Sequence, residues 1–351
     1  MTASKTAAGR FFEDFRIGDA LRHATPRTLN AGDSSLYSAL FGTRFAPQSA
    51  DTFAQAIGYS ASPIDDLLAF HVVFGKTVPD VSLNAIANLG YADGRFLRPV
   101  YPGVTLSATS EVIGLKENSN KQSGVVYVRT RGANQNGETV LEYVRWVMVR
   151  KRDAASPALE AKVPELPSVV APDSLGAACP PIDIARYDFA LAGSPHRWGD
   201  YSKGEKIDHV DGVTVEEGDH MLATRLYQNT AKVHFNQFSE GQGRFGRRLI
   251  YGGHVISLAR ALSFNGLANA FHVAAINGGR HVAPLFAGDT VFAWSEILDT
   301  AALPGRDDVA ALRVRLVATK NRPCADFPFR EGDGYEASVV LDIDIWVLLP
   351  R

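Results

Sequence analysis

Three residues of the C-terminal half are spaced so that they can do chemistry together. In Tyr227–Asn236, YQNTAKVHFN, the amide of Asn229 stands five residues before the imidazole of His234. Gly252 and Gly253 follow eighteen and nineteen residues after His234, within the apolar segment IYGGHVISLARAL. An imidazole that is neutral near pH 7 can take a proton from water. A glycine N–H in the first turn of a helix can meet developing negative charge, because the helix N-terminus is positive and no Cβ blocks close approach. A side-chain amide can orient a small molecule without adding charge. A lone histidine is more often a core or surface residue. Its spacing to paired glycines at a helix start is what singles out His234.

These residues sit in the second of two copies of one pattern. Gly94–Ile113, GRFLRPVYPGVTLSATSEVI, matches Gly279–Leu298, GRHVAPLFAGDTVFAWSEIL, at an offset of 185 residues. Asp14–Gly18 lines up with Asp200–Gly204, and Thr28–Asp33 with Thr214–Asp219, at 186. Long-period self-similarity of this kind means a repeated supersecondary unit. Inside each copy an all-round apolar segment comes first, Asp66–Val78 and Ile250–Leu262, which predicts a helix buried on nearly all sides. Strand signals follow. Leu312–Leu316 alternates with period two, and Val125–Arg131 and Val140–Val149 flank the hairpin turn Asn136-Gly137. The expectation is an α+β fold, an antiparallel sheet wrapped around a central helix, twice, with the two sheets joined edge to edge. The boundaries are 1–150, a Pro/Ala-rich linker at 151–197, and 198–351. The linker's prolines exclude continuous helix or ladder pairing; it either wraps the surface or tethers the halves loosely.

Composition excludes several function classes. The net charge is −2 and 46% of residues are hydrophobic, so no basic field points to nucleic acid or to anionic membrane as partner. No apolar run reaches signal-peptide or membrane-span length, which leads us to expect a cytoplasmic protein. Two distant cysteines, Cys179 and Cys324, are expected to be free thiols. Gly241–Gly246 spells G-x-G-x-x-G, but a polar segment precedes it and no parallel unit surrounds it, so nucleotide binding is set aside. His23, His71, His196, His209, His220, His272 and His281 show no metal-ligand spacing, and His71 inside its apolar helix is expected to be a satisfied core residue.

The stretches YQNTAKVHFN, RRLIYGGHVISLARALSFNGLANA and DDLLAFHVVFGKTVPDVSLNAIANLGYADGRF resemble the MaoC-like enoyl-CoA hydratases of hotdog fold, in particular the double-hotdog members that act on mesaconyl-CoA. The resemblance covers almost the whole chain outside the linker. It implies tandem hotdog folds and a reversible hydro-lyase acting on an acyl-CoA thioester. It implies no separate cofactor, CoA being part of the substrate, no metal, and a homodimer. His234 matches the family's histidine and Gly252 the glycine whose N–H receives the thioester oxygen. Asn229 stands where the family usually has aspartate. In the first copy, offset 186 puts Thr43 opposite Asn229 and Gln48 opposite His234, and aligning His71 with His254 puts Ala69 opposite Gly252. The resemblance thus implies one working site, in the second copy.

The chemistry explains why these types are needed. Adding water to a 2-enoyl thioester moves charge onto the thioester oxygen, and removing one such donor costs about 2.7–4 kcal/mol. A mesaconyl-C1 thioester carries a carboxylate on the carbon that water attacks. An aspartate beside it would add a like-charge repulsion of about 4 kcal/mol at 4 Å and an effective dielectric near 20, which asparagine avoids. The alternative is a structural Asn229 with Asp51 or Glu217 as the acid. Lys232, Gly253, His254, Arg225 and Arg280 are candidates for holding the substrate, and Arg247 and Arg248 for the CoA phosphates. Arg95 matches Arg280 in the other copy, which also fits a structural role for both. The rival enzyme is a hotdog acyl-CoA thioesterase, which usually has a carboxylate at the attack site. The rival class is a non-catalytic acyl-CoA-binding protein.

Overall fold

The computed structural model describes residues 5–351. Ten long or medium strands form one antiparallel sheet: β1 (Ala20–Thr28), β2 (Ala85–Phe96), β3 (Thr105–Glu117), β4 (Ser123–Ala133), β5 (Thr139–Arg150), β6 (Lys206–Thr214), β7 (His272–His281), β8 (Thr290–Ala302), β9 (Val309–Lys320) and β12 (Val339–Pro350). A separate small hairpin pairs β10 (Arg330–Glu331) with β11 (Gly334–Tyr335). The sheet order is β1-β3-β4-β5-β2-β7-β12-β9-β8-β6. The halves meet at β2 and β7, where Tyr91 pairs with Gly279 and Arg95 with Ala275. Pairing there turns what would be an exposed edge of each half into the sheet's interior.

Helices fall in matched order. The first copy has α1 (Ala31–Phe41), α2 (Ala46–Ser49), α3 (Asp51–Ala56) and α4 (Asp66–Thr77); the second has α5 (Glu217–Leu226), α6 (Lys232–Phe235), α7 (Gln237–Glu240) and α8 (Gly252–Leu262), followed by α9 (Phe264–Leu267). Each start lies 186 residues after its counterpart: 217 against 31, 232 against 46, 237 against 51, 252 against 66. Every residue of α4 from Leu67 to Thr77 is buried, as is α8 from Gly253 to Arg260, which fits a helix enclosed by its own sheet. Leu68, Val72 and Val73 are fully buried, each worth about 1.5–3 kcal/mol of apolar transfer. These two helices are the hotdog helices that hold the site.

The segment 151–197 makes only short 3-10 turns, yet it is held at many points. Val170, Cys179, Ile182, Tyr187 and Ala192 are buried in a cluster with Phe53, Phe271 and Trp346. The Trp346 indole donates to the Val170 carbonyl at 3.1 Å, and Tyr187 Oη donates to Asn269 Oδ1 at 3.1 Å. Cys179 and Cys324 are buried free thiols.

Candidate active site

The segment that carries Asn229 and His234 is fixed from behind by the other half of the molecule. Gln228 has φ of +56°, a left-handed corner that turns the chain out of α5. Its Oε1 accepts from Lys76 Nζ on α4 at 3.3 Å, and the same Nζ also donates to the Thr25 carbonyl. Gly75 lies directly under the corner: a Cβ there would be 1.8 Å from the Tyr227 carbonyl oxygen and 3.3 Å from Asn229 N. The Asn229 N–H donates to the Thr224 carbonyl at 2.9 Å, and Asn229 Oδ1 accepts from Ala231 N at 3.2 Å. Asn229 is 1% exposed, and with Oδ1 used locally its remaining capacity is the Nδ2 donor pair.

His234 sits in the one-turn helix α6. Its Nδ1 lies 3.0 Å from the Leu249 carbonyl, an acceptor only, so Nδ1 carries the ring hydrogen and Nε2 keeps its lone pair. Burial pushes its pKa down to about 4, against the opposing pull of the Leu249 carbonyl, so the ring is neutral near pH 7. A neutral imidazole with a fixed tautomer and a free Nε2 is a general base.

The two hotdog helices begin in opposite chemical states. At α4 the N-cap is Asp65, whose side chain accepts from Leu67 N at 2.9 Å. The next residue, Asp66, accepts from Val273 N at 2.9 Å and pairs with His272 at 2.9 Å. At α8 the N-cap is Tyr251, with no side-chain cap and no acidic residue in the first turn. The Tyr251 N–H is donated to His220 Nε2 at 2.9 Å and the His254 N–H to the Tyr251 carbonyl at 2.9 Å. The N–H groups of Gly252 and Gly253 are the first in the helix and have no intrahelical acceptor. Carboxylates thus occupy the first helix terminus, whereas the second is left bare for an outside oxygen. The same geometry corrects the alignment made on the two helix histidines. Asp66, not Ala69, stands opposite Gly252, and His71 stands opposite Ser257. His71 and Ser257 meet each other, Nε2 to Oγ, at 3.0 Å. An apolar helix has no phase signal to prevent a three-residue slip.

Imidazoles dominate the surroundings. The His220 ring is 6.1 Å from His234 and 5.6 Å from His254, and the His234 ring is 5.4 Å from Tyr251. Burial is the largest cause that pushes His220 down to about 2, His254 to about 3 and His281 to about 4. His71, fully buried, is pushed to about 3. The neighbours that act on these rings are other histidines and, at His220, Arg248; no carboxylate is among them. Among the described residues no group of three or more His, Cys, Asp or Glu side chains is placed to hold a metal.

The remaining sequence candidates divide. His254 is 2% exposed, and its Nδ1 is buried without a hydrogen-bond partner. Gly253 is required by packing: a Cβ would be 2.4 Å from Tyr251 Cε1 and 2.5 Å from His71 Cε1. Arg280 is corrected out of the site. It is exposed, and it alternates with His281, whose ring touches α8, so it projects from the opposite face of β7. Arg225 and Lys232 are exposed and form no ion pair. Arg248 is paired with Glu217 at 2.5 Å, which commits it to the protein, while the exposed Arg247 stacks on Phe286 at 3.9 Å. Sequence reasoning passed over His220, Tyr251, His281 and Tyr91. For His281 the signal was available: the sister copy has Phe96 at that position, offset 185. Gly241–Gly246 forms an exposed loop after α7, with no strand before it.

Two tandem copies of a sheet around a helix, one with a bare helix terminus beside a neutral imidazole, define a MaoC-like double hotdog. A MaoC-domain protein from Chloroflexus aurantiacus superposes with a TM-score of 0.97 at 62% identity, covering 99% of both chains. A Mycobacterium tuberculosis protein described as a double hotdog has the same fold at a TM-score of 0.76 and 24% identity, covering 98% of this chain and 99% of its own. The chain belongs to the mesaconyl-CoA hydratase family, whose model matches residues 2–173. It is 62% identical over 350 residues to a β-methylmalyl-CoA dehydratase of Chloroflexus aurantiacus, 99% of each chain. It is also 62% identical over 351 residues to a mesaconyl-CoA hydratase of Cereibacter sphaeroides, 99% of this chain and 100% of that one.

Proposed function

We propose that this protein is a hydro-lyase that reversibly adds water to mesaconyl-C1-CoA, giving β-methylmalyl-CoA. The observation that carries the reading is the uncapped start of α8 next to a neutral His234 with a free Nε2, in a chain 62% identical to a mesaconyl-CoA hydratase and a β-methylmalyl-CoA dehydratase. The thioester oxygen lies at the Gly252 N–H, where the helix terminus stabilises the enolate charge. The Asn229 Nδ2 donors hold the water, and His234 Nε2 takes its proton as oxygen bonds to the β-carbon. That proton, carried by His234, then goes to the α-carbon as the enolate collapses, so atoms and charge balance without a metal or redox partner. The absence of carboxylates around these imidazoles suits a substrate that brings its own. A homodimeric, cytoplasmic enzyme is part of the same proposal, on the strength of the family resemblance.

Mixing the protein with mesaconyl-CoA tests the reading. Loss of the ultraviolet enoyl-thioester band without thiol release supports hydration. Thiol release, read with a chromogenic disulfide, means a thioesterase, and binding with neither change means a carrier.

A further inference from the structure

The ring of His281 lies on the first residue of α8. A Cβ built on Gly252 would be 2.3 Å from His281 Cε1, 2.4 Å from Nε2 and 2.6 Å from Nδ1, so the nitrogen-bearing edge of the imidazole covers the place where Gly252 meets its ligand. His281 is the last residue of β7, and its partner comes from the other half: Tyr91 Oη on β2 lies 3.1 Å from His281 Nε2. Tyr91 is 2% exposed, burial holds its hydroxyl above the ordinary tyrosine range, and it has no other hydrogen-bond partner among the described residues. Its hydrogen therefore goes to Nε2, and the ring hydrogen of the neutral imidazole sits on Nδ1. That N–H has no acceptor among the described residues. The first copy has Phe96 in place of His281 and, at the same offset of 185, Tyr91 corresponds to Ile276 in the second copy, so the pair exists once.

We propose that the Nδ1–H of His281, oriented by Tyr91, is a second donor to the thioester oxygen alongside the Gly252 N–H. A neutral imidazole at a helix N-terminus acts as an electrophile toward a carbonyl because it donates without being an acid strong enough to protonate it. Burial and the nearby His234 keep His281 neutral, with a pKa pushed down to about 4. As water adds, the electron pair moves onto the thioester oxygen, where both donors strengthen; it returns when the α-carbon takes its proton. The arrangement also makes the site a product of both halves, since the tyrosine that fixes the tautomer lies across the β2–β7 joint. The proposal rests on the thioester lying at Gly252.

Two readouts test it. His281→Phe, the first copy's own residue, is expected to lower kcat on mesaconyl-CoA by about 10²–10³-fold, the effect of losing one oxyanion donor, with KM changed less than about threefold. His281→Gln, which keeps a donor, is expected to recover part of that loss and serves if the phenylalanine variant fails to fold. Isotope-edited infrared spectra of a bound acyl-CoA labelled at its thioester carbonyl give the second readout. The carbonyl band shift seen in the parent protein is expected to shrink in His281→Phe and partly in Tyr91→Phe. An undiminished kcat with an unchanged band shift in folded His281→Phe overturns the proposal. If the parent protein leaves mesaconyl-CoA untouched yet shifts the carbonyl band through His281, the substrate assignment fails and the donor assignment stands.

Discussion

The base and its partner act through fixed hydrogens. The Leu249 carbonyl claims the hydrogen of His234 Nδ1, and burial sets the pKa near 4, so the reactive form persists far below neutrality. The acid limb of kcat/KM is therefore expected near pH 4, with activity lost as pH falls through that value and little change between pH 5.5 and 7.5. A limb near the ordinary histidine value of about 6.5 contradicts a buried base. Asn229 gives a sharper test of charge. Asn229→Asp is expected to slow mesaconyl-CoA at least about tenfold more than crotonyl-CoA, which carries a methyl in place of the carboxylate, because only the first meets like charge. Equal losses on both substrates contradict the charge argument. Asn229, His234 and Gly252 were legible in the sequence because they lie within 24 residues and are absent from the sister copy. His281 and Tyr91 were not, because they come together only through strand pairing between halves.

The hotdog helices decide where chemistry can happen by how they start and what they press on. Asp65 and Asp66 close the first terminus and Tyr251-Gly252 leaves the second open, a difference of two residues in otherwise matched helices. The first helix then serves the second copy's site as a platform, with Gly75 and Lys76 shaping the corner that bears Asn229. Gly75→Ala must displace backbone rather than a flexible side-chain end. It is expected to destabilise the fold by about 1–3 kcal/mol and to lower kcat, although it lies in the half without a base. Thermal melting and the enoyl assay on the same preparation check this, and a variant with parental Tm and rate contradicts the platform role. The existence and extent of both helices could be read from their all-round apolar pattern. Their relative alignment could not, because that same pattern gives no face to index.

Duplication was the most legible feature at the scale of the whole molecule, since the 185–186 offset holds across both copies. The order in which the strands join was beyond it, because pairing of β2 with β7 depends on edges that the sequence does not mark. The price of so many buried neutral imidazoles is acid sensitivity. His71, His209, His220, His234, His254 and His281 all have folded pKa values pushed to about 2–4 by burial. Unfolded, they titrate near 6.5, so between pH 6.5 and 4 the unfolded chain binds more protons and stability falls as pH falls. Each contributes a slope of up to about 1.4 kcal/mol per pH unit. Asp65, pushed up to about 6, works the other way in this window and offsets part of the loss. A Tm that drops steadily from pH 6.5 to 4 is expected, and a flat Tm contradicts burial of these rings. The most direct test of a single site in the C-terminal half is the rate at which folded His234→Ala hydrates mesaconyl-CoA. The account predicts a fall of about 10²–10⁴-fold with the native Tm retained. Turnover at the parental rate contradicts it.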